Sequence, residues 1–158
     1  MMIMDYRLLK PEESRDYRAL RLESLKRYPS FFHDKYEDLV NIPELKTEQD
    51  IIQQCFERFV MGAFWQDRLV GICFFVKDEQ GTGNIYQMYV QRQLQGKSIG
   101  EGLIQATIQE AFRRFPGINM TLVVAIDNKS AIALYKKIGF EKIENDVSEN
   151  TIVMRYIS

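Results

Sequence analysis

Apolar positions change their spacing most sharply between Ile85 and Phe115. Ile85, Tyr86, Met88, Tyr89 and Val90 are apolar or β-forming residues in a near-continuous run, which predicts a strand. A polar turn follows from Gln91 to Lys97. At Ile99 the spacing becomes helical, with Ile99, Leu103, Ile104, Ile108, Ala111, Phe112 and Phe115 on one stripe. A strand that enters a helix through a glycine-bearing turn leaves free N–H groups at the positive helix end, a ready site for phosphate.

The chain before this stretch predicts a platform. Ile3 to Leu9 reads as a strand, and Pro11, Glu12 and Glu13 open a helix that carries Tyr17, Leu20, Leu25 and Tyr28 to Pro29. Ser30 to Val40 is aromatic and polar without a period. Pro43 and Thr47 prepare a second helix through Arg58, with Ile51, Ile52, Cys55, Phe56 and Phe59 at helical spacing. Val60–Trp65, Leu69–Val76 and Asn84–Val90 form an antiparallel meander with turns at Gln66–Arg68 and Asp78–Gly83. Beyond Pro116 and Gly117, Asn119–Ile126 reads as a buried strand and Asn128–Ile138 as a short helix closed by Gly139. A hairpin of Phe140–Glu144 and Thr151–Ile157 ends the chain. This order predicts a single α/β domain over 1–158: a mixed α+β sheet with helices on both faces and a parallel pair across the Asn84–Ile126 unit.

Composition narrows the function. A net charge of −1 gives no electrostatic case for nucleic acid or an acidic membrane. No apolar run approaches membrane-spanning length, and the start Met-Met-Ile-Met-Asp lacks a basic signal-peptide region. Cys55 and Cys73 lack metal-ligand spacing and read as buried free thiols, so a cytoplasmic protein without a metal is expected.

Val90-Gln-Arg-Gln-Leu-Gln-Gly-Lys-Ser-Ile-Gly100 resembles motif A of the GNAT superfamily of N-acetyltransferases: strand, Arg/Gln-x-x-Gly-x-Gly/Ala, helix. Asn128-Lys-Ser-Ala-Ile-Ala-Leu-Tyr-Lys-Lys-Ile-Gly-Phe140 is similar to the family's second signature, Asn-x-x-Ala-x-x-Leu-Tyr-x-x-x-Gly-Phe. The element order is similar throughout, which implies the GNAT acyl-CoA N-acyltransferase fold with about seven strands.

The resemblance implies that the amides of Gln95, Gly96, Lys97, Ser98, Ile99 and Gly100 cradle the pyrophosphate of acetyl-CoA, the co-substrate. Ser98 stands where the family usually has glycine. Its hydroxyl either bonds a phosphate oxygen or caps the helix in a box with Glu101. Met88, Tyr89 and Val90 fall where the family strand bulges and leaves its parallel neighbour, so the pantetheine arm would lie there and the Val90 N–H would polarise the thioester. Asn128 either binds that arm or caps its helix. Tyr135 matches the tyrosine that protonates the departing thiolate, with packing as the alternative.

Relatives often place a glutamate before the motif, where this chain has Tyr86 and Gln87. Glu23, His33 or a water relay remain as candidates for the base. Glu23, Tyr28, Phe31, Phe32 and Tyr36 are expected to border the acceptor pocket, with Gln87. The reading is an N-acetyltransferase that moves acetyl from acetyl-CoA to a primary amine of a small molecule or peptide by direct attack, with room for a homodimer. The rival is an acyl-CoA sensor or interaction module without turnover. A nucleotide-binding domain is opposed by the lack of Gly-x-Gly-x-x-Gly or P-loop spacing.

Overall fold

A computed structural model describes residues 3–145 and 150–157. The reading of Met1 and Met2 and the tip of the last hairpin at 146–149 lie outside the described residues. Seven strands form one sheet: β1 (Met4–Leu8), β2 (Arg58–Trp65), β3 (Arg68–Lys77), β4 (Gly83–Val90), β5 (Met120–Ala125), β6 (Phe140–Asn145) and β7 (Thr151–Tyr156). The helices are α1 (Ser14–Arg27), α2 (Tyr36–Leu39), α3 (Lys46–Gln53), α4 (Ile99–Arg114) and α5 (Lys129–Ile138). Sheet order is β1-β2-β3-β4-β5-β7-β6, antiparallel except for the parallel pair β4 and β5.

Alternation along the central strands builds two cores. Phe59, Met61, Ala63, Val70, Cys73 and Phe75 meet Ile99, Leu103, Ile104, Ile108 and Ala111 of α4. Val60, Phe64, Leu69, Ile72 and Phe74 meet Tyr17 and Leu20 of α1 and Ile51 of α3. The expected stripe of α4 is therefore its buried face, with Phe112 and Phe115 at the edge.

Three expectations need correction. The second helix stops at Gln53, where Gln54 turns left-handed (φ 51°) and its side chain donates to the Leu9 and Ile51 carbonyls. Phe59 then belongs to β2, opposite Phe75 with ring centroids 4.8 Å apart, so sheet pairing overrides the helical spacing. Phe56 is exposed and Cys55 is only partly buried, whereas Cys73 is fully buried. β5 is buried on one face only: Met120, Leu122 and Val124 enter the core, and Val123 is exposed on the other side. The aperiodic aromatic segment holds the one-turn helix α2.

Gly83 shows how tightly β4 is seated. A Cβ there would stand 2.6 Å from the fully buried Phe75 ring and 3.2 Å from Met120. Gly83→Ala is expected to cost about 1–3 kcal/mol by overpacking. Thermal denaturation should show it as a fall of roughly 2–4 °C per kcal/mol; an unchanged midpoint would mean that β4 can move away from β3.

Candidate active site

The site begins where β4 leaves β5. Their ladder runs only through Gly83↔Met120, Asn84↔Thr121 and Ile85↔Leu122. Just beyond, the β3–β4 register shifts between Ile72 and Phe74, and Gln87 takes a positive φ of 59°. This is a β-bulge, and it inverts the alternation of the strand. Ile85 faces the α4 side before it; Met88 and Val90 face that side after it, while Tyr89 packs toward α1. The Gln91 amide donates to the Val70 carbonyl at 3.0 Å. Antiparallel alternation then directs the Val90 N–H away from β3, toward the gap vacated by β5.

A cleft of about 360 Å³ opens at this gap, walled by Met88, Tyr89 and Val90, by Gln95, Gly96, Ser98 and Gly100, and by Asn128, Ala131 and Leu134 of the α5 region. At its mouth the chain turns through Gly96 (φ 80°) and Ser98 (φ 65°) into α4. The amides of Gly96, Lys97, Ser98, Ile99 and Gly100 donate to no acceptor among the described residues. Five orphan donors at a helix N-terminus fit a multiply charged anion. The Gln95 side chain donates to the Val90 carbonyl at 2.8 Å, tying the turn to the strand end. Glu101, the acid nearest the cradle, is paired with Lys137 at 2.8 Å.

The predicted residues divide as follows. Lys97 is exposed and lies off the cleft wall, and the Ile99 side chain is core. Ser98 occupies the N-cap position without a side-chain cap, so of its two alternatives the capping box with Glu101 is absent. Its left-handed backbone explains why glycine is usual at this position. A Cβ on Gly100 would approach Leu134 at 3.2 Å, so the glycine sets the spacing of α4 and α5 as well as bordering the cleft. Asn128 does cap α5, accepting from the Ala131 amide at 3.3 Å, and it also lines the cleft.

A second cleft of about 670 Å³ adjoins the first and shares Phe31, Phe32, Met88 and Asn128 with it. Gln87 and Tyr135 belong to its wall. The Gln87 side-chain oxygen Oε1 accepts from the buried Tyr17 hydroxyl at 2.7 Å. Tyr135 is buried against Phe140, and burial together with the nearby Cys73 raises its pKa above the ordinary phenol value. Tyr28 stacks on Phe31 and lines the first cleft. Glu23 lines neither cleft. Its carboxylate accepts from Tyr89 Oη at 2.5 Å and from Gln91 Nε2 at 3.5 Å, with Arg27 4.0 Å away. Tyr36 is also outside both clefts, with Lys26 over its ring. His33 is an exposed residue at the second cleft.

The turn into a helix, the splayed strands and the α5 signature find their counterpart in known proteins. The acetyltransferase (GNAT) family model matches residues 17–140. The chain belongs to the GNAT family. An uncharacterized N-acetyltransferase of Methanocaldococcus jannaschii is 34% identical over 67 residues, which cover 42% of this chain and 29% of that protein. The matched stretch thus spans under a third of that relative's length. Among solved structures, a GNAT acetyltransferase of Streptococcus pneumoniae superposes with a TM-score of 0.80 at 17% identity, covering 97% of this chain and 98% of that one. The PaiA N-acetyltransferase of Thermoplasma acidophilum, solved in complex with coenzyme A, gives 0.78 at 20% identity, with 98% and 99% covered. These likenesses establish the GNAT fold for the chain.

Sequence reasoning missed Arg21 and Asp34, which line the second cleft, and Leu134 in the first. Arg21 left a signal: an arginine at helical spacing among Tyr17, Leu20, Ser24 and Leu25, all buried.

Ser98→Gly relieves the left-handed backbone and removes no cap bond. It is expected to stabilise this GNAT domain by up to about 1 kcal/mol. Chemical denaturation checks the sign; a loss of a few tenths of a kcal/mol would restore the capping role.

Proposed function

We propose that the protein transfers an acetyl group from acetyl-CoA to a primary amine by direct attack. The observation that carries this reading is the row of unpartnered amides from Gly96 to Gly100, at the mouth of the cleft where β4 parts from β5. Family membership supports acetyl-CoA as the donor, as does the coenzyme A in the Thermoplasma structure. The pyrophosphate fits the amide row, and the pantetheine arm fits the open edge from Met88 to Val90. The free Val90 N–H is directed at the gap and serves as the oxyanion donor.

Tyr135 serves the departing sulfur. A phenol pushed above its ordinary value near 10 stays protonated at neutral pH and donates. Glu23 already holds Tyr89, Gln91 and Arg27, so it acts as a strut behind the strand end rather than as a free base. The amine therefore arrives neutral or loses its proton to water. The acceptor enters through the second cleft, between the aromatic segment and the exposed face of β5. The free thiols of Cys55 and Cys73 support a reducing, cytoplasmic setting.

A second reading, acyl-CoA binding without turnover, is favoured by one feature: Tyr86 and Gln87 stand where a strand carboxylate would activate the amine. Two measurements separate the readings. Calorimetry should show acetyl-CoA binding at least about tenfold more tightly than acetyl-pantetheine, because charged groups at a helix N-terminus gain charge-assisted bonds. Equal affinities would remove the phosphate cradle. Tyr135→Phe keeps the ring, so its Kd for acetyl-CoA should hold while kcat falls about 10²-fold, the lower end for general acid catalysis. An unchanged kcat, with chemistry rate-limiting, would return Tyr135 to packing. Absence of CoA release across a panel of amines would favour the sensor.

A further inference from the structure

Arg21 is a buried charge that acetyl transfer does not use. It lies on the inner face of α1 with 4% of its side chain exposed. Nη2 donates to Asp34 Oδ2 at 3.0 Å, whereas Nη1 has no hydrogen-bond partner among the described residues and is shielded from solvent. A guanidinium cannot shed its proton, so an unpaired buried N–H carries its full desolvation cost. Arg58 Nε also lacks a well-aligned hydrogen bond, but it lies 3.0 Å from Asp50 Oδ1, whereas no carboxylate among the described residues pairs with Arg21 Nη1. Two other arginines are better satisfied. Arg18 donates to Glu48 and to the Val40 carbonyl, both at 3.0 Å, and Arg7 grips Glu13 with two bonds of 2.9 and 2.8 Å. Arg21, Asp34 and Phe32 also line the second cleft, with the Phe32 ring 5.1 Å from the guanidinium carbon.

We propose that the acceptor amine also carries a carboxylate, and that Arg21 receives it through Nη1 in the second cleft. This rests on the acetyl-transfer reading and names the substrate class: amino acids, in preference to simple alkylamines or polyamines. A carboxylate matches the planar donor fork. Asp34 already answers one side of the guanidinium, so a monoanion fits, whereas a dianionic phosphate would meet the Asp34 charge. Phe32 is the group that must yield. It sits between Arg27 and Tyr36, outside regular structure, where a side-chain shift disrupts no helix or strand ladder. Phe31 and Phe32 then pack against the acceptor's apolar part.

The test uses the whole protein, saturating acetyl-CoA and matched acceptors: phenylalanine against phenylalaninamide, and methionine against methioninamide. Coenzyme A release is followed and corrected for the fraction of neutral amine. The acids should exceed the amides in kcat/KM by about tenfold or more, mainly through KM, the scale of a charge-assisted hydrogen bond. Asp34→Asn, at a side chain 45% exposed, should lower KM for the acids several-fold and so widen the ratio of acid to amide kcat/KM. Arg21→Lys should remove most of the preference while amide turnover persists.

Equal kcat/KM for acids and amides in the wild type would overturn the proposal, whether or not Arg21→Lys folds. So would an Asp34→Asn protein that weakens both classes alike, as a purely structural pair predicts. If no pair turns over, titration of phenylalanine and phenylalaninamide into the CoA-saturated protein decides, and equal binding rejects it. Acetyl-CoA titrated without any acceptor reads the underlying activity separately: failure to bind there counts against acetyl transfer itself.

Discussion

The separation of β4 from β5 after Ile85↔Leu122 is the constraint on which the site depends. Parallel strands normally continue their ladder, and breaking one exposes N–H and C=O groups that must find other partners. The bulge at Gln87 makes the break local. It bends β4, inverts its alternation and leaves Val90 with its backbone edge toward the gap. Both sides of the fork are pinned. Gly83 is locked beneath Phe75, and Tyr89 is held by Glu23 from α1. On the far side, β5 is secured by a five-residue antiparallel register with β7. A fork with both arms fixed stays open, so the cleft does not depend on a ligand to pry the sheet apart.

Legibility in the sequence followed how local the cause was. The turn into α4 and the α5 signature were readable because they reside in short consecutive runs, Gln95–Gly100 and Asn128–Phe140. The meander was readable because its turns carry their own residues. The C-terminal part of the second expected helix failed for a non-local reason. Cys55, Phe56 and Phe59 keep helical spacing, but Phe59 is committed to Phe75 across the sheet, and Arg114 of α4 donates to the Cys55 and Phe56 carbonyls. The exposed face of β5 was equally hidden, because its apolar residues fit both a buried strand and a cleft floor. Ser98 is instructive in another way. Its sequence context, with Glu101 three residues on, is that of a capping box, but a cap requires an extended N-cap residue and this one is left-handed.

The two clefts at the splay differ in what lines them. The first is lined by backbone and small residues of the α4 turn and by one face of α5, surfaces that suit a long, polar, invariant arm. The second takes its walls from the segment between α1 and α2 and from the uncovered side of β5. The first of those walls is an irregular connection, where substitution disturbs no ladder or helix. Under the proposed function, that difference would let one face of the fork keep a fixed donor while the other accommodates an acceptor.

Charged side chains around the fork stand in local pairs, Glu23 with Arg27 and Glu101 with Lys137. Under the proposed reading, attraction for an anion at the cradle comes from groups within a few ångströms. At the cradle these are fixed peptide dipoles, and the one acid beside them, Glu101, is answered by Lys137 on α5. That pair has a second consequence: it ties the N-terminal turn of α4 to the last turn of the helix that carries Tyr135. The amide row and Tyr135, the proton donor proposed above, are therefore positioned relative to one another by the same ion pair and by the close approach of Gly100 to Leu134. A change at either contact would move both ends of the site together, which is why geometry here is carried by the α4–α5 seam as much as by the sheet.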